Sequence, residues 1–260
     1  MDIDTLFMLG FAVFSASCLQ SATGIGYGVI AGPIFLVVLN GPEAFQISTL
    51  HNLAIALILL PVLWHSINKK ALRLLVAGSS CGLIVGFALQ LWIDVLALKI
   101  AAALMIGFVT VILVRDMTRH VTPVRQDPPS TLETSGIGML AGVMGGMLAM
   151  PGPLAATWMS AKGFHKQEVR ATVLAFFVFA YGANAILYVG VTGFSTEILK
   201  LTLLLMVPLI FGIVAGNRLS GLLNEKTFRW ILLMVLLATL SLLTVDSSQH
   251  FWQYLGQKAT

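Results

Sequence analysis

The chain has 260 residues, of which 58% are hydrophobic and only 10% charged. A soluble domain carries about 25% charged residues, so with a mean hydropathy of +0.93 this composition excludes one and points to an all-α polytopic membrane protein. The formal net charge of +4 is spread over short segments, with no basic run and interleaved aromatics, so no nucleic-acid partner is expected.

The chain opens Met1-Asp2-Ile3-Asp4. It lacks the basic start of a cleaved signal, so the first helix is expected to be retained. Apolar sequence then runs over 5–40, too far for one helix across a core about 30 Å thick at about 1.5 Å per residue. In its middle stand Gln20, Ser21, Thr23, Gly24, Gly26 and Gly28, followed by Gly32-Pro33. Helix breakers are costly where no water satisfies the freed backbone, and they persist where that backbone faces protein or a cavity. The reading is a helix, a break and a second helix, forming either two spans or a re-entrant hairpin.

Three apolar spans follow, at 44–64, 71–92 and 96–114. A second interrupted stretch occupies 135–162, with Gly142, Gly145 and Gly146 ahead of Pro151-Gly152-Pro153. Three more spans are predicted at 171–192, 197–217 and 229–245. The expected architecture is therefore two pseudo-symmetric, inverted halves, each a broken helical hairpin plus three spans, with about 8–10 transmembrane segments in all. The halves are 1–115 and 135–246, joined by a cytoplasmic linker over 116–134 that carries Pro123, Pro128 and Pro129; a tail covers 247–260. Gly82-x3-Gly86 and Gly212-x3-Gly216 share one offset, and Lys99 and Arg229 share it too. Such small-residue pairs first of all permit close helix contact.

Twelve of the fifteen lysines and arginines fall on four segments: Lys69, Lys70 and Arg73; Arg115, Arg119 and Arg125; Lys162, Lys166 and Arg170; Arg218, Lys226 and Arg229. By the positive-inside rule these are cytoplasmic. The N-terminus, Glu43, Asp94 and Glu197 fall outside, and the expected location is the cell inner (plasma) membrane. Each half then crosses an odd number of times, which requires the inversion.

Few polar groups remain within the spans. His51 and Asn52 lie in the span 44–64, and Tyr181, Asn184 and Tyr188 share one face of the span 171–192. An intramembrane ionisable group marks a functional site or a hydrogen bond between helices, and both readings stand for these residues. Ser48, Thr49 and Thr172 read equally as packing contacts, and Cys18 and Cys81 as small apolar residues without metal spacing. No buried carboxylate is apparent, which disfavours a metal cation as cargo. A small anion can instead be held by half-helix N-termini, which carry roughly half a positive charge and free N–H groups. The substrate-binding residues expected on this basis are Gln20, Ser21, Thr23, Gly24, Gly26, Gly28, Gly32, Pro33, His51, Asn52, Gly145, Gly146, Pro151, Gly152, Pro153, Tyr181 and Asn184. No metal, cofactor or catalytic residue is expected, since no His-Glu-x2-His and no buried carboxylate is present.

Thr23-Gly24-Ile25-Gly26-Tyr27-Gly28 with Gly32-Pro33, then Gly142-x2-Gly145-Gly146 with Pro151-Gly152-Pro153, resembles the TauE/SafE sulfite-exporter-like permeases. Gly212-x3-Gly216-Asn217-Arg218-Leu219 is similar to the penultimate helix of that family. The resemblance implies a multi-pass carrier for sulfite, sulfonates or related organic anions. Export is the favoured direction, because a monovalent anion leaving an inside-negative cell gains about 2.3 kcal/mol per 100 mV. Uptake would need coupling, with His51 as the available proton carrier. The rivals are a coupled importer of a small organic acid and a non-transporting membrane scaffold or sensor. The partners are then the small anion, the lipid bilayer and, as the one protein partner left open, a second copy in a homodimer.

Overall fold

The computed structural model describes residues 2–24, 26–118, 130–219, 230 and 233–246, and every regular element among them is a helix. In chain order the helices are α1 Ile3–Thr23, α2 Tyr27–Leu39, α3 Glu43–Leu63, α4 Lys69–Trp92, α5 Val95–Thr118, α6 Thr131–Leu148, α7 Gly152–Ala161, α8 Lys166–Val191 and α9 Thr196–Leu219. A further described helix, α10, spans Leu233–Asp246. Six of them, α1, α3, α4, α5, α8 and α9, are long and apolar enough to cross a membrane.

Both interrupted stretches break as the sequence predicts. The spans over 44–64, 71–92, 96–114, 171–192 and 197–217 each fall on one helix, while the span 229–245 is described only in part. Arg119, Pro123, Arg125, Pro128, Pro129, Lys226, Arg229 and the tail 247–260 lie outside the described residues.

Local chemistry sets the helix starts. The Asn68 side chain accepts from Ala71 N at the head of α4, and Ser130 Oγ accepts from Glu133 N at the head of α6. Asp94 and Ser195 do the same for α5 and α9. Each satisfies a donor that the first turn leaves without an intrahelical partner.

The closest helix pairs are α4 with α6 and α1 with α9. Gly78, Gly82 and Gly86 of α4 lie on the backbone of Ser135, Met139 and Val143, and Gly138, Gly142 and Gly146 of α6 lie on that of Leu75, Ser79 and Leu83. A β-carbon at Gly82 would overlap the Met139 carbonyl. Two glycine rows at four-residue spacing thus interlock, which is how helices associate where lipid removes the hydrophobic drive. On the other side of the bundle Gly212 and Gly216 of α9 receive Phe14, Ser17, Cys18 and Ser21 of α1. The long helices α3 and α8 pack together through the middle, and Phe45, Ile47, Phe176 and Phe177 are buried there. Phe7, Phe11, Val62, Trp92 and Leu104 are exposed on the outer surface, as a lipid-facing belt requires.

Hydrogen bonds sort the loops into two ends. Asn68 N donates to Thr172 Oγ1 and Asn68 Nδ2 to Glu168 Oε1, while Lys162 pairs with Glu133 at 2.8 Å. Lys162, with help from the Trp158 indole, holds the Glu133 carboxyl below its usual range. At the other end Gln46 donates to Thr192 Oγ1 and Gly193 O, and buried Lys99 joins Asn40 Oδ1 and Asp246.

Candidate functional site

At the first break α1 ends on Gly24, whose φ is 88° and whose N–H donates to Gln20 O. Gly26, at φ 134°, leads into α2. These two left-handed positions explain why glycine stands there. The Gln20 side chain spans the gap: its Oε1 accepts from Tyr27 N at 2.9 Å, which caps α2. Its Nε2 is buried and finds no acceptor among the described residues. The next N–H groups of α2, those of Gly28 and Val29, precede the first possible intrahelical acceptor.

Arg170, from the first turns of α8, closes over this break. Its guanidinium Nη2 donates to Ser21 O, which accounts for one carbonyl at the C-terminal end of α1. Its stem lies against Gly24, where a β-carbon would sit 2.5 Å from Arg170 Cγ. Its buried Nε has no partner among the described residues. The sequence reading counts Arg170 only as a loop charge.

At the second break α6 ends on Ala149, a non-glycine residue with φ 53° whose N–H donates to Gly145 O. Pro151-Gly152-Pro153 then start α7, with proline in a first turn whose N–H groups need no intrahelical acceptor. All three residues are buried. Tyr181 Oη donates to Ala149 O at 3.0 Å, and Asn184 Nδ2 donates to Gly145 O at 3.2 Å. Deeper along α8, Tyr188 Oη donates to Gln90 Oε1, and Gln90 Nε2 donates to Met147 O.

The two breaks meet. A β-carbon at Gly28 would lie 2.7 Å from Ala149 O and 3.5 Å from Tyr181 Oη. One turn on, the same atom at Gly32 would lie 3.4 Å from Met150 Cε and 3.6 Å from Ser48 Oγ. Pro33 is buried beside it in α2. The first turns of α2 therefore run past the second break, with α3 and α8 as flanking walls.

Other expected residues fall elsewhere. Ser21 Oγ donates to Ile213 O and faces α9. Gly146 faces the backbone of α4 at Leu83 and Phe87. Thr23 Oγ1 turns back to Leu19 O. His51 is fully buried with both ring nitrogens engaged, Nδ1 to Tyr27 Oη at 2.6 Å and Nε2 to Thr202 O at 3.0 Å. A carbonyl only accepts, so Nε2 carries the proton and Nδ1 accepts from the tyrosine. His51 thereby ties α3 to α2 and α9. Asn52 Nδ2 donates to Ser48 O, and Asn184 Nδ2 also reaches Thr49 Oγ1 at 3.4 Å.

Six membrane-length helices, α1 of the first broken hairpin among them, and two touching breaks mark a multi-pass membrane protein. The chain belongs to the sulfite exporter TauE/SafE family, whose profile matches residues 9–243, and it is thus a membrane transport protein. No curated protein and no solved structure matches the chain.

Proposed function

We propose that this protein is a carrier for a small sulfur oxyanion or organosulfonate, which it holds at the first break. The observation that carries the reading is a pair of buried donors at the first break, Gln20 Nε2 and Arg170 Nε, that have no acceptor among the described residues. A guanidinium and an N–H-lined helix start are both oxyanion partners, and the cationic side chain neutralises the cargo. The family to which the chain belongs carries sulfite export in its description, which supports the same substrate class. Export is the direction that an inside-negative potential drives without any other ion.

The two halves, α1–α5 and α6–α10, are read as inverted repeats. The packing supports this: α1 with α9 answers α6 with α4, α1 with α2 answers α6 with α7, and α2 with α3 answers α7 with α8. α3 with α9 likewise answers α8 with α4. Both broken helices also end on a left-handed residue, Gly24 and Ala149. In an inner membrane, rocking one set of helices against the other around the fixed breaks would expose the anion to each side in turn.

Counterflow of labelled sulfite, thiosulfate, a sulfonate and a small carboxylate in proteoliposomes tests the reading. Gln20→Glu keeps the oxygen that caps Tyr27 N but replaces the free donor by a carboxylate. It is expected to weaken sulfur-anion uptake by roughly ten- to a hundredfold. Equal counterflow by wild type and Gln20→Glu would remove the first break from the binding site. A carboxylate carried in preference to every sulfur anion would make the protein an organic-acid carrier. The absence of all counterflow would favour a scaffold.

A further inference from the structure

Beside the second break lies a cluster of opposite chemistry. Asn52 Nδ2 is held by Ser48 O and Asn184 Nδ2 by Gly145 O. Each amide is therefore fixed with its nitrogen on a main-chain carbonyl, because the flipped amide would set oxygen against oxygen. What remains is Asn52 Oδ1 and Asn184 Oδ1, both buried and without a donor among the described residues, together with the unpartnered Ser48 Oγ. Ser48, Thr49 and Asn52 occupy one turn of α3, and Thr49 Oγ1 accepts from Asn184 Nδ2 of α8, which leaves it a lone pair for a further contact. All four residues are completely buried. Buried oxygens left unmatched cost about 1–3 kcal/mol each, and an anion would only worsen that cost.

We infer that Ser48 Oγ, Thr49 Oγ1, Asn52 Oδ1 and Asn184 Oδ1 bind an alkali-metal cation, with Na+ as the ion that the site serves. Four neutral oxygens suit a monovalent ion, whereas Ca2+ and Mg2+ sites lean on carboxylates. Among the described residues no group of three His, Cys, Asp or Glu could hold a metal. The C-terminal end of α6, which carries Gly145, adds the negative pole of its dipole. Along α2 the cluster lies at Gly32, one turn beyond Gly28 at the first break. Cation and anion would therefore sit near enough to stabilise each other, and their joint movement would carry no net charge. Flux would then follow the Na+ gradient and not the voltage, so an inward Na+ gradient would turn the voltage-driven export of the bare anion into uptake. This site goes beyond the proposed anion carrier and is tested apart from it.

Thermal unfolding of the purified full chain in NaCl, LiCl, KCl and choline chloride at equal ionic strength, with no sulfur anion present, reads the site directly. Saturating Na+ is expected to raise the midpoint by roughly 2–5 °C over choline, and K+ by less. Ser48→Ala is expected to raise the Na+ concentration for half effect about tenfold. Asn52→Asp, with a charge at the same oxygen, is expected to lower it. A larger K+ shift keeps an alkali site but overturns the assignment to Na+. Equal midpoints in all four salts for the wild type overturn the site, even if a variant fails to fold. Sulfite counterflow that is identical in NaCl and choline chloride sinks the coupling while leaving the anion carrier standing. A Na+ shift without any counterflow does the reverse.

Discussion

At the first break the chain leaves α1 through Gly24 and enters α2 through Gly26, and what surrounds it donates: Gln20 Nε2, Arg170 and the head of α2. At the second it leaves α6 through Ala149 and enters α7 through Pro151-Gly152-Pro153, and the polar atoms left unmatched beside it among the described residues are oxygens: Asn52 Oδ1, Asn184 Oδ1 and Ser48 Oγ. The backbone solution is shared, a left-handed residue followed by a short helix. The polar complement is reversed. Arg170 meets the carbonyl end of α1 with a full positive charge, whereas the carbonyl end of α6 meets only the neutral amide and hydroxyl groups of Asn184 and Tyr181. In the proposed carrier, two breaks of like geometry would thus serve ions of opposite sign.

The sharpest way to break this contrast is Arg170. Arg170→Gln removes the only full charge that the described residues bring to the first break. It is expected to lower apparent anion affinity about a hundredfold, while the Na+-dependent midpoint shift is retained. Arg170→Lys should recover little, because an ammonium cannot reach Ser21 O and also offer the in-plane Nε–H. Counterflow and thermal unfolding on the same preparations measure both effects. Near-normal anion affinity in Arg170→Gln, or loss of both responses together, would erase the donor and acceptor division.

The backbone half of the comparison is tested by exchanging the two cap residues. Gly24→Ala places a side chain at φ 88° and against Arg170 Cγ. A left-handed β-carbon alone costs about 1–2 kcal/mol, and displacing the arginine adds to it. Ala149→Gly removes the same strain at φ 53° and is expected to stabilise by up to about 1 kcal/mol, net of glycine's greater freedom when unfolded. Thermal midpoints should therefore move in opposite directions, and a fall in both would show that Ala149 is not strained.

Hydropathy and the glycine-proline clusters make the spans and both breaks legible in the sequence, because a helix must be long and apolar to cross lipid and irregular backbone is tolerated there only where it is covered. The partners of the breaks are not legible in the same way. Arg170 reads as a loop cation, and nothing near it in the chain tells that α8 starts beside the end of α1. Gly146 reads as part of the second break. Its spacing of four from Gly142 and Gly138 belongs to the row that meets Gly78, Gly82 and Gly86, and that shared period is the signal which separates packing glycines from break glycines. Asn52 and Asn184 are visible as polar residues in apolar helices. The sign of the ion they suit depends on which end of each amide a main-chain carbonyl has already taken, and that is a property of the packed bundle.

His51 supplies the smallest test, because it lies against the first break without facing it. Tyr27→Phe deletes the hydroxyl that donates to His51 Nδ1 and leaves that nitrogen buried beside α2. Polar contacts inside membrane bundles are worth about 0.6 kcal/mol on average and at most about 1.7 kcal/mol, so a small drop in thermal midpoint is expected. Anion affinity should stay within about twofold, since neither Gln20 Nε2 nor Arg170 loses a partner. The pH dependence of counterflow should also keep its shape, because in this packing the ring is a neutral strut between Tyr27 and the Thr202 carbonyl. If His51 carried protons during transport, freeing Nδ1 would move the pH profile of flux, and such a movement would return the histidine to the transport site and make proton coupling the rival of the sodium site.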